Sequence, residues 1–280
     1  KNFSDKLDAA KNKLYVDCGF WGGIVSGDTS EVEPLLHAGV LGFKAFLTHS
    51  GIDDFPNVSP KDLEKAAPLL AKYNVPLLVH VELEKKHPAQ KELEDDPYSF
   101  KAFLHSRPRW WEDDAIRAMI QLCEKFKVRV HIVHLSSSDS LAQIRDARAK
   151  GLPLSVETCP HYLFFSAETI PDNDTRFKCT PPIREKENNQ KLWAALKEGM
   201  IDFLVSDHSP APAEIKELDT GNFQTAWGGI ASLQYTLPIV WTLAMKDNTG
   251  LEELSRWMSR HVADFLRLPA KGRMEPGADA

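Results

Sequence analysis

The sequence lacks the features of secreted, membrane-spanning and nucleotide-binding proteins. Its 280 residues include 4 cysteines, none in a Cys-x-x-Cys pair, which excludes a disulfide framework and a zinc knuckle. No apolar run approaches the roughly 20 residues that span a bilayer. No Gly-x-Gly-x-x-Gly or Gly-x-x-x-x-Gly-Lys-Ser/Thr segment follows an apolar run. A net charge of −6, spread without long like-charge blocks, argues against nucleic acid or an anionic membrane as partner. We therefore expect a reduced, cytoplasmic setting.

The two ends of the sequence have no features of natural termini. The chain starts at Lys1 with neither methionine nor the apolar region of a signal peptide, and residues 271–280 are rich in turn-forming residues. We therefore expect an internal piece of a longer protein.

Short apolar runs alternate with longer amphipathic ones along the chain. The runs are rich in Val, Leu, Ile or Phe, as in strands that are buried on both faces. The predicted strands are residues 14–20, 40–47, 75–82, 128–135, 152–159 and 203–207. The predicted helices are residues 59–73, 113–126, 138–149, 189–198, 229–245 and 251–266. This alternation requires a parallel sheet, either doubly wound or most of a (β/α)8 barrel.

Ionisable side chains stand at the carboxyl ends of the predicted strands. Burying such a group without a partner costs at least roughly 2 kcal/mol, so a series of them indicates a site rather than packing. The residues are Lys44, His80, His131, His134, Cys159, His161 and Asp207. His131 and His134 are three apart and so face opposite sides of a strand. We assign His131 to the core and His134 to the site.

These residue types favour metal-assisted hydrolysis. Neutral imidazoles and a strand-end carboxylate suit zinc and other divalent cations. Lys44 lies between Phe43 and Phe46, where an amine must lose its proton, find a counter-ion or be modified. A carbamate formed from its amine and carbon dioxide could bridge two cations. Asp207 has an alternative role as the cap of a helix starting near Pro210, but the upstream ligands favour the site. The spacing of these residues along the sequence does not identify a substrate.

Several motifs together resemble the cyclic amidohydrolase branch of the amidohydrolase superfamily. They are Gly-Phe-Lys at 42–44, Leu-Val-His at 78–80, His-Ile-Val-His at 131–134, Cys-Pro-His-Tyr at 159–162, Thr-Pro-Pro-Ile-Arg at 180–184 and Val-Ser-Asp-His-Ser-Pro at 205–210. Within that branch, three further segments resemble the allantoinases, namely residues 16–23, 44–56 and 106–108.

The resemblance implies a (β/α)8 TIM-type barrel that is incomplete in this sequence. Residues 14–20 would be barrel strand three, so strands one and two would lie outside the sequence, together with a His-x-His pair that binds the first metal. Residues 1–268 would form strands three to eight of the hydrolase barrel. Residues 269–280 would start an accessory β segment, the rest of whose small β-sandwich is also missing. By this reading the piece alone is inactive.

The resemblance also implies a role for each site residue. Lys44 would be the carboxylated lysine that bridges two divalent ions, His80 and His134 would hold the second ion, and Asp207 would bind the first and act as general base. Thr180, Pro181, Gly228 and Gly229 would contact the substrate, and Cys159 and His161 would lie near the site without an assigned role. The ions would be zinc, with cobalt, manganese and iron as alternatives, and lysine carboxylation would need carbon dioxide.

The implied reaction opens the hydantoin ring of allantoin to allantoate in purine catabolism, by attack of a metal-bridging hydroxide. The implied assembly is a homotetramer. Two alternatives stay open at this point. One is a hydantoinase or dihydropyrimidinase acting on another cyclic amide, and the other is a non-catalytic homologue that serves as a scaffold.

Overall fold

The computed structural model describes residues 2–279 and contains one parallel sheet. Its strands are β1 (Gly22–Gly23), β2 (Phe43–Phe46), β3 (Pro76–His80), β4 (Arg129–Ile132), β5 (Leu154–Thr158) and β6 (Phe203–Leu204). They lie in sequence order, and every neighbouring pair is parallel. A doubly wound sheet would reverse its strand order, whereas a barrel wall keeps it. The predicted incomplete barrel is therefore confirmed.

Helices connect the strands and cover the outside of the sheet. They are α1 (Asn2–Ala10), α2 (Val32–His37), α3 (Pro60–Tyr73), α4 (Ala89–Asp95), α5 (Phe100–Ser106), α6 (Arg109–Phe126), α7 (Leu141–Ala149), α8 (Pro160–Phe164), α9 (Lys186–Lys197), α10 (Thr236–Lys246), α11 (Leu251–Ser255) and α12 (His261–Leu266). A π-helical turn, Arg256–Arg260, joins α11 to α12. The core between sheet and helices includes Phe43, Leu77 and Val130 from the strands and Leu63 and Ile116 from the helices.

Helix α3 shows how closely local sequence signals can define an element. Its predicted limits agree with the structure at both ends. Ser59 accepts a hydrogen bond from the Asp62 backbone N–H at 3.2 Å, and the Asp62 carboxylate accepts one from the Ser59 backbone N–H at 3.1 Å. This capping box satisfies two donors that a helix start would otherwise leave unpaired.

Replacing Ser59 by alanine is expected to lower the free energy of unfolding by about 0.5–2 kcal/mol, because the cap is lost. Urea denaturation of the full-length protein measures the change. Ser259→Ala is the control, since Ser259 is exposed within the π-helical turn and its loss should cost less than about 0.5 kcal/mol. Equal losses in the two variants would contradict the capping role.

The first predicted strand, residues 14–20, is wrong. Leu14, Tyr15 and Val16 are exposed and irregular, and pairing with β2 begins only where the Leu41 N–H donates to the Phe20 carbonyl at 2.9 Å. In the part of the chain that the structure describes, no strand lies on the outer side of β1. The apolar run at 14–16 therefore has no sheet neighbour that could bury it.

The predicted helix 229–245 begins seven residues late, with α10 at Thr236. The preceding segment is held by the loop after β6 instead. The backbone N–H groups of Ser232 and Leu233 both donate to His208 Nδ1 at 3.1 Å, and Ile230 forms a β-bridge with His208. These contacts use backbone donors that a helix would need.

Residues 267–279 form turns, and within the described chain they contain no strand. Lys271 ties them to the amino-terminal region through Asp17 at 2.5 Å and contacts Asp279 at 2.9 Å. The accessory β segment at 269–280 stays a prediction, and its last residue lies outside the described range. Among residues 2–279, no helix combines the length and the apolar character needed to cross a membrane.

Candidate metal centre at the carboxyl ends of the strands

The parallel strands bring the carboxyl ends, and the side chains that follow them, to one edge of the sheet. Lys44 lies on β2, His80 is the last residue of β3, and His134 comes two residues after β4. Cys159 directly follows β5, and Asp207 comes three residues after β6. Five consecutive strands therefore each contribute a candidate ligand.

The imidazoles of His80 and His134 face each other in a buried position. His80 Nδ1 lies 3.1 Å from His134 Nε2, and the ring centroids are 4.7 Å apart. Two ligand nitrogens around a tetrahedral zinc ion are separated by about 3.3 Å, given Zn–N bonds of about 2.0–2.1 Å. The two rings are thus already spaced as adjacent ligands of one cation.

A buried ion pair holds the His80 ring. Glu82 Oε2 lies 2.7 Å from His80 Nε2, and Glu82 also accepts hydrogen bonds from Arg107 Nε at 3.0 Å and Nη2 at 2.6 Å. Burial alone would raise the pKa of Glu82, but the Arg107 charge and the His80 hydrogen bond outweigh it and lower the pKa to about 2. An anionic carboxylate only accepts hydrogen bonds, so the His80 proton is on Nε2, and the lone pair of Nδ1 faces His134 Nε2.

His134 and Asp207 adopt a left-handed backbone conformation that residues other than glycine seldom adopt. Both have φ of +43°. Such left-handed conformations cost roughly 1–3 kcal/mol each and concentrate at functional sites. Burial, assisted by the charges of His80 and Lys44, also lowers the pKa of His134 well below its ordinary value, and its Nδ1 has no hydrogen-bond partner. A neutral imidazole is the form that binds metals.

Lys44 is partly exposed rather than fully buried, but its amine lies among protein atoms. Its Nζ is 4.8 Å from the centre of the Phe46 ring. Burial lowers the pKa of Lys44 to about 8, although the Asp207 and Glu157 carboxylates favour the charged form. A substantial neutral fraction near neutral pH is what carbamate formation from this amine requires.

Cys159, His161 and Asp207 form a second group of candidate ligands. One ligand atom from each lies within 4.8 Å of the others, and theirs is the one such group of three within residues 2–279. Both His161 ring nitrogens are buried without partners, and burial lowers the pKa of His161 to about 4. Burial and the charges of Asp207 and Glu157 raise the pKa of the Cys159 thiol, so the thiol is protonated without a metal.

Two cavities are lined by predicted site residues. One of about 320 Å³ is lined by Thr180, Gly228, Arg107 and Lys178 among others, and one of about 600 Å³ is lined by His161, Gly229 and Lys216 among others. Both volumes lie in the range of small-molecule sites.

The predicted substrate-binding residues do not all line the same cavity. Thr180 and Gly228 are in close contact, since a Cβ at Gly228 would lie 3.0 Å from Thr180 Oγ1, whereas Gly229 faces the larger cavity. The Pro181 carbonyl accepts a hydrogen bond from Tyr162 Oη at 2.7 Å. The structure thus brings Thr180 and Gly228 together and places Gly229 and Pro181 beside them.

Two interpretations of the strand-end residues can now be compared with the structure. His131 is packed in the core, stacked 5.0 Å from Phe203 and 2.8 Å from Ser155 Oγ, which confirms its assignment to the core. The alternative role of Asp207 as a helix cap is wrong, because no helix begins at residues 206–212.

The site also contains residues that the sequence did not reveal. Glu82 could have been found, because it ends the predicted strand 75–82 and lies two residues after His80, and residues two apart on a strand share a face. Arg107, Lys178 and Lys216 could not, because their contacts are made with segments distant in sequence.

Comparison with known proteins defines the class of this protein. The amidohydrolase family model matches residues 2–280. The chain therefore belongs to the amidohydrolase family, in agreement with its barrel strands.

Its relatives include several allantoinases. The chain is 47% identical to the allantoinase of Arabidopsis thaliana over 286 residues, covering 98% of this chain and 56% of the relative. It is 44% identical to the allantoinase of Streptomyces avermitilis, covering 100% of this chain and 62% of the relative. The predicted resemblance is confirmed. The chain spans roughly three fifths of the length of these curated relatives.

Solved structures of cyclic amidohydrolases share the fold. The L-hydantoinase (dihydropyrimidinase) of Arthrobacter aurescens matches with a TM-score of 0.90 at 28% identity, covering 99% of this chain and 62% of that chain. The dihydropyrimidinase of Brevibacillus agri matches with a TM-score of 0.87 at 25% identity, also covering 99% and 62%. These matches extend over the whole described sheet.

Proposed function

We propose that the full-length protein hydrolyses the hydantoin ring of allantoin to allantoate at a centre of two divalent metal ions. The observation that carries the metal site is the pair of facing nitrogens of His80 and His134. The choice of substrate rests on the similarity to allantoinases over nearly the whole chain.

The strand-end residues fit such a centre. His80 and His134 would hold one ion through the nitrogens that face each other, and a carboxylated Lys44 would bridge the two ions. Asp207 would hold the other ion, together with a His-x-His pair outside this sequence. When bound, the two ions lower the pKa of a water molecule and polarise the carbonyl to be attacked.

The chain's own residues would then move one proton and orient the ring. The Asp207 carboxylate accepts the proton of the attacking water and delivers it to the ring nitrogen as the carbon–nitrogen bond breaks. The backbone groups of Thr180, Pro181, Gly228 and Gly229 orient the polar edges of the ring.

The remaining properties follow from the same resemblance. Zinc is the proposed metal, and cobalt, manganese and iron are alternatives, because all of them bind nitrogen and oxygen ligands. Carbon dioxide would supply the Lys44 carbamate. A homotetramer in the cytoplasm, acting in purine catabolism, completes the proposal, with residues 1–268 as barrel and 269–280 as the start of the accessory segment.

A substrate comparison tests this function. The full-length protein, loaded with zinc and bicarbonate, is assayed for ring opening of allantoin, hydantoin and dihydrouracil. We expect kcat/KM for allantoin to exceed the other two by at least about a hundredfold, since a site built to hydrogen-bond a substituent discriminates strongly against analogues that lack it. Preference for hydantoin or dihydrouracil would assign the protein to the hydantoinases or dihydropyrimidinases. A folded protein that binds no metal would be a scaffold.

The ion pair behind His80 yields a prediction for metal affinity. Glu82→Gln removes the charge that holds the His80 tautomer and leaves Arg107 without its carboxylate partner. Loss of such a supporting group weakens metal binding by about 10–100-fold. Competition with a chromophoric chelator measures the affinity. Glu84→Gln is the matched control, because Glu84 is exposed and contacts Thr48 and Gln90 instead. Equal affinity in both variants would contradict the role of Glu82.

A further inference from the structure

Two segments that line the proposed substrate site have no regular secondary structure. They are residues 178–180 and residues 224–229, and they come into close contact at Thr180 and Gly228. A loop is restrained only by the contacts it makes, and ordering it costs backbone conformational entropy. If backbone groups are to bind a ring in one orientation, other contacts must hold these segments together.

Lys216 makes such contacts. Its side chain is nearly buried, and Nζ donates hydrogen bonds to the carbonyls of Lys178 at 2.7 Å, Trp227 at 2.9 Å and Gly229 at 2.5 Å. An ammonium group has three N–H donors, so this geometry uses all of them. Two of the acceptors flank Gly228 on either side, and the third belongs to the other segment.

Lys178 completes the connection in the opposite direction. Its ammonium donates to the carbonyl of Ala226 and, at 3.4 Å, to that of Gln224. Lys216 therefore donates hydrogen bonds to both segments, and Lys178, which belongs to the first segment, donates to the second. Among the described residues, neither ammonium forms an ion pair with a carboxylate.

The two buried ammonium groups carry an electrostatic cost. Burial lowers the pKa of Lys216 to about 8, and burial together with the charges of Arg107 and Lys216 lowers the pKa of Lys178 to about 7. Backbone carbonyls accept the hydrogen bonds of these two ammonium groups, and the Phe103 ring centre lies 5.5 Å from Lys178 Nζ. A lysine on the outside of a loop would avoid this cost, whereas Lys178 lines the smaller cavity with Thr180 and Gly228, and Lys216 lines the larger one with His161 and Gly229.

We propose that Lys216 and Lys178 are positioning residues that hold the backbone of Gly228 against Thr180 and so give the substrate-binding segments their shape. The proposal rests on the proposed function. The lysines act through the two segments and touch neither the metal ions nor the reacting atoms.

The test compares variants of the full-length, metal-loaded protein with allantoin as substrate. Lys216→Met removes the donors and keeps the length of the side chain, Lys216→Arg keeps donors, and Lys178→Met removes the second connection. Lys191→Met is the control, since Lys191 is exposed on α9 and pairs with Glu187. KM, kcat and the unfolding temperature are measured for each variant.

We expect Lys216→Met and Lys178→Met to raise KM by at least about tenfold with kcat changed by less than about threefold, because ground-state binding is lost and the chemical groups stay in place. Lys216→Arg should recover most of the KM, and Lys191→Met should match the unchanged protein. A merely structural lysine would lower the unfolding temperature and the amount of active enzyme without raising KM.

A KM within about twofold of the unchanged protein in Lys216→Met would overturn the proposal. If Lys216→Met does not fold, the KM of Lys178→Met and of Lys216→Arg decides in its place, and an unaltered KM in both overturns it. Failure of the unchanged, metal-loaded protein to open allantoin would instead refute the proposed function. The two failures are thus distinguishable.

Discussion

Replacing Asp207 by alanine is expected to reduce the turnover of allantoin by the full-length protein by at least about 10²–10⁴-fold, the usual contribution of a positioned general base. The carboxylate is exposed at the edge of the sheet, and a left-handed backbone directs it into the group with Cys159 and His161. In the proposed reaction it is the group that moves the proton, and it also holds one ion. Steady-state turnover at saturating zinc measures the effect.

Asp219→Ala is the matched control for this prediction. Asp219 is an exposed carboxylate twelve residues further along the chain, and its loss should leave turnover within about twofold. Asp207→Asn keeps the shape of the side chain but removes its basicity, and it should be as impaired as Asp207→Ala. Full activity of Asp207→Ala would contradict the proposed mechanism.

The second large effect is expected at Lys44. Lys44→Ala removes the proposed bridge between the two ions and should lower turnover by more than about a hundredfold, because metal ions supply several kcal/mol of transition-state stabilisation. Small carboxylic acids such as formate, acetate and propionate should partly restore turnover, since they can occupy the place of the carbamate. The measurement is turnover as a function of acid concentration.

His80→Ala is the control for this rescue. It should lose turnover to a similar extent, and a carboxylic acid should not restore it, because the missing ligand is a neutral imidazole whose place adjoins His134. Rescue of both variants would indicate a general effect of the acid. A Lys44→Ala variant that binds two ions and turns over at the full rate would contradict the bridging role.

Much of the fold could be predicted from the sequence. Strand β3 is buried along its whole length and appears as a continuous apolar run, whereas β2 and β5 alternate between buried and partly buried residues within longer apolar runs. Helix α3 begins with a capping serine and a proline at its first position, and both of its ends were predicted correctly. Because the carboxyl ends of parallel strands meet at one edge, placing His80 and His134 together needed only the strand assignment.

What the sequence could not reveal depends on contacts between distant segments. The run at 14–16 is apolar, but whether it forms a strand depends on a neighbour to pair with. The short helices α4, α5 and α8 lie in strand-to-helix connections, where tertiary packing overrides propensity. Arg107 is 25 residues from Glu82, and Lys216 is 38 residues from the carbonyl of Lys178. No local pattern marks such partners.

The most direct test of the proposed metal centre is a titration of the metal-free, full-length protein with zinc in the presence of bicarbonate. Bound metal and the rate of allantoate release are measured in parallel. Turnover should rise to a maximum at two equivalents of zinc per chain, disappear when a chelator is added and return when zinc is restored. Undiminished turnover in fully metal-free protein, or two bound ions without any ring opening of allantoin, would contradict the account.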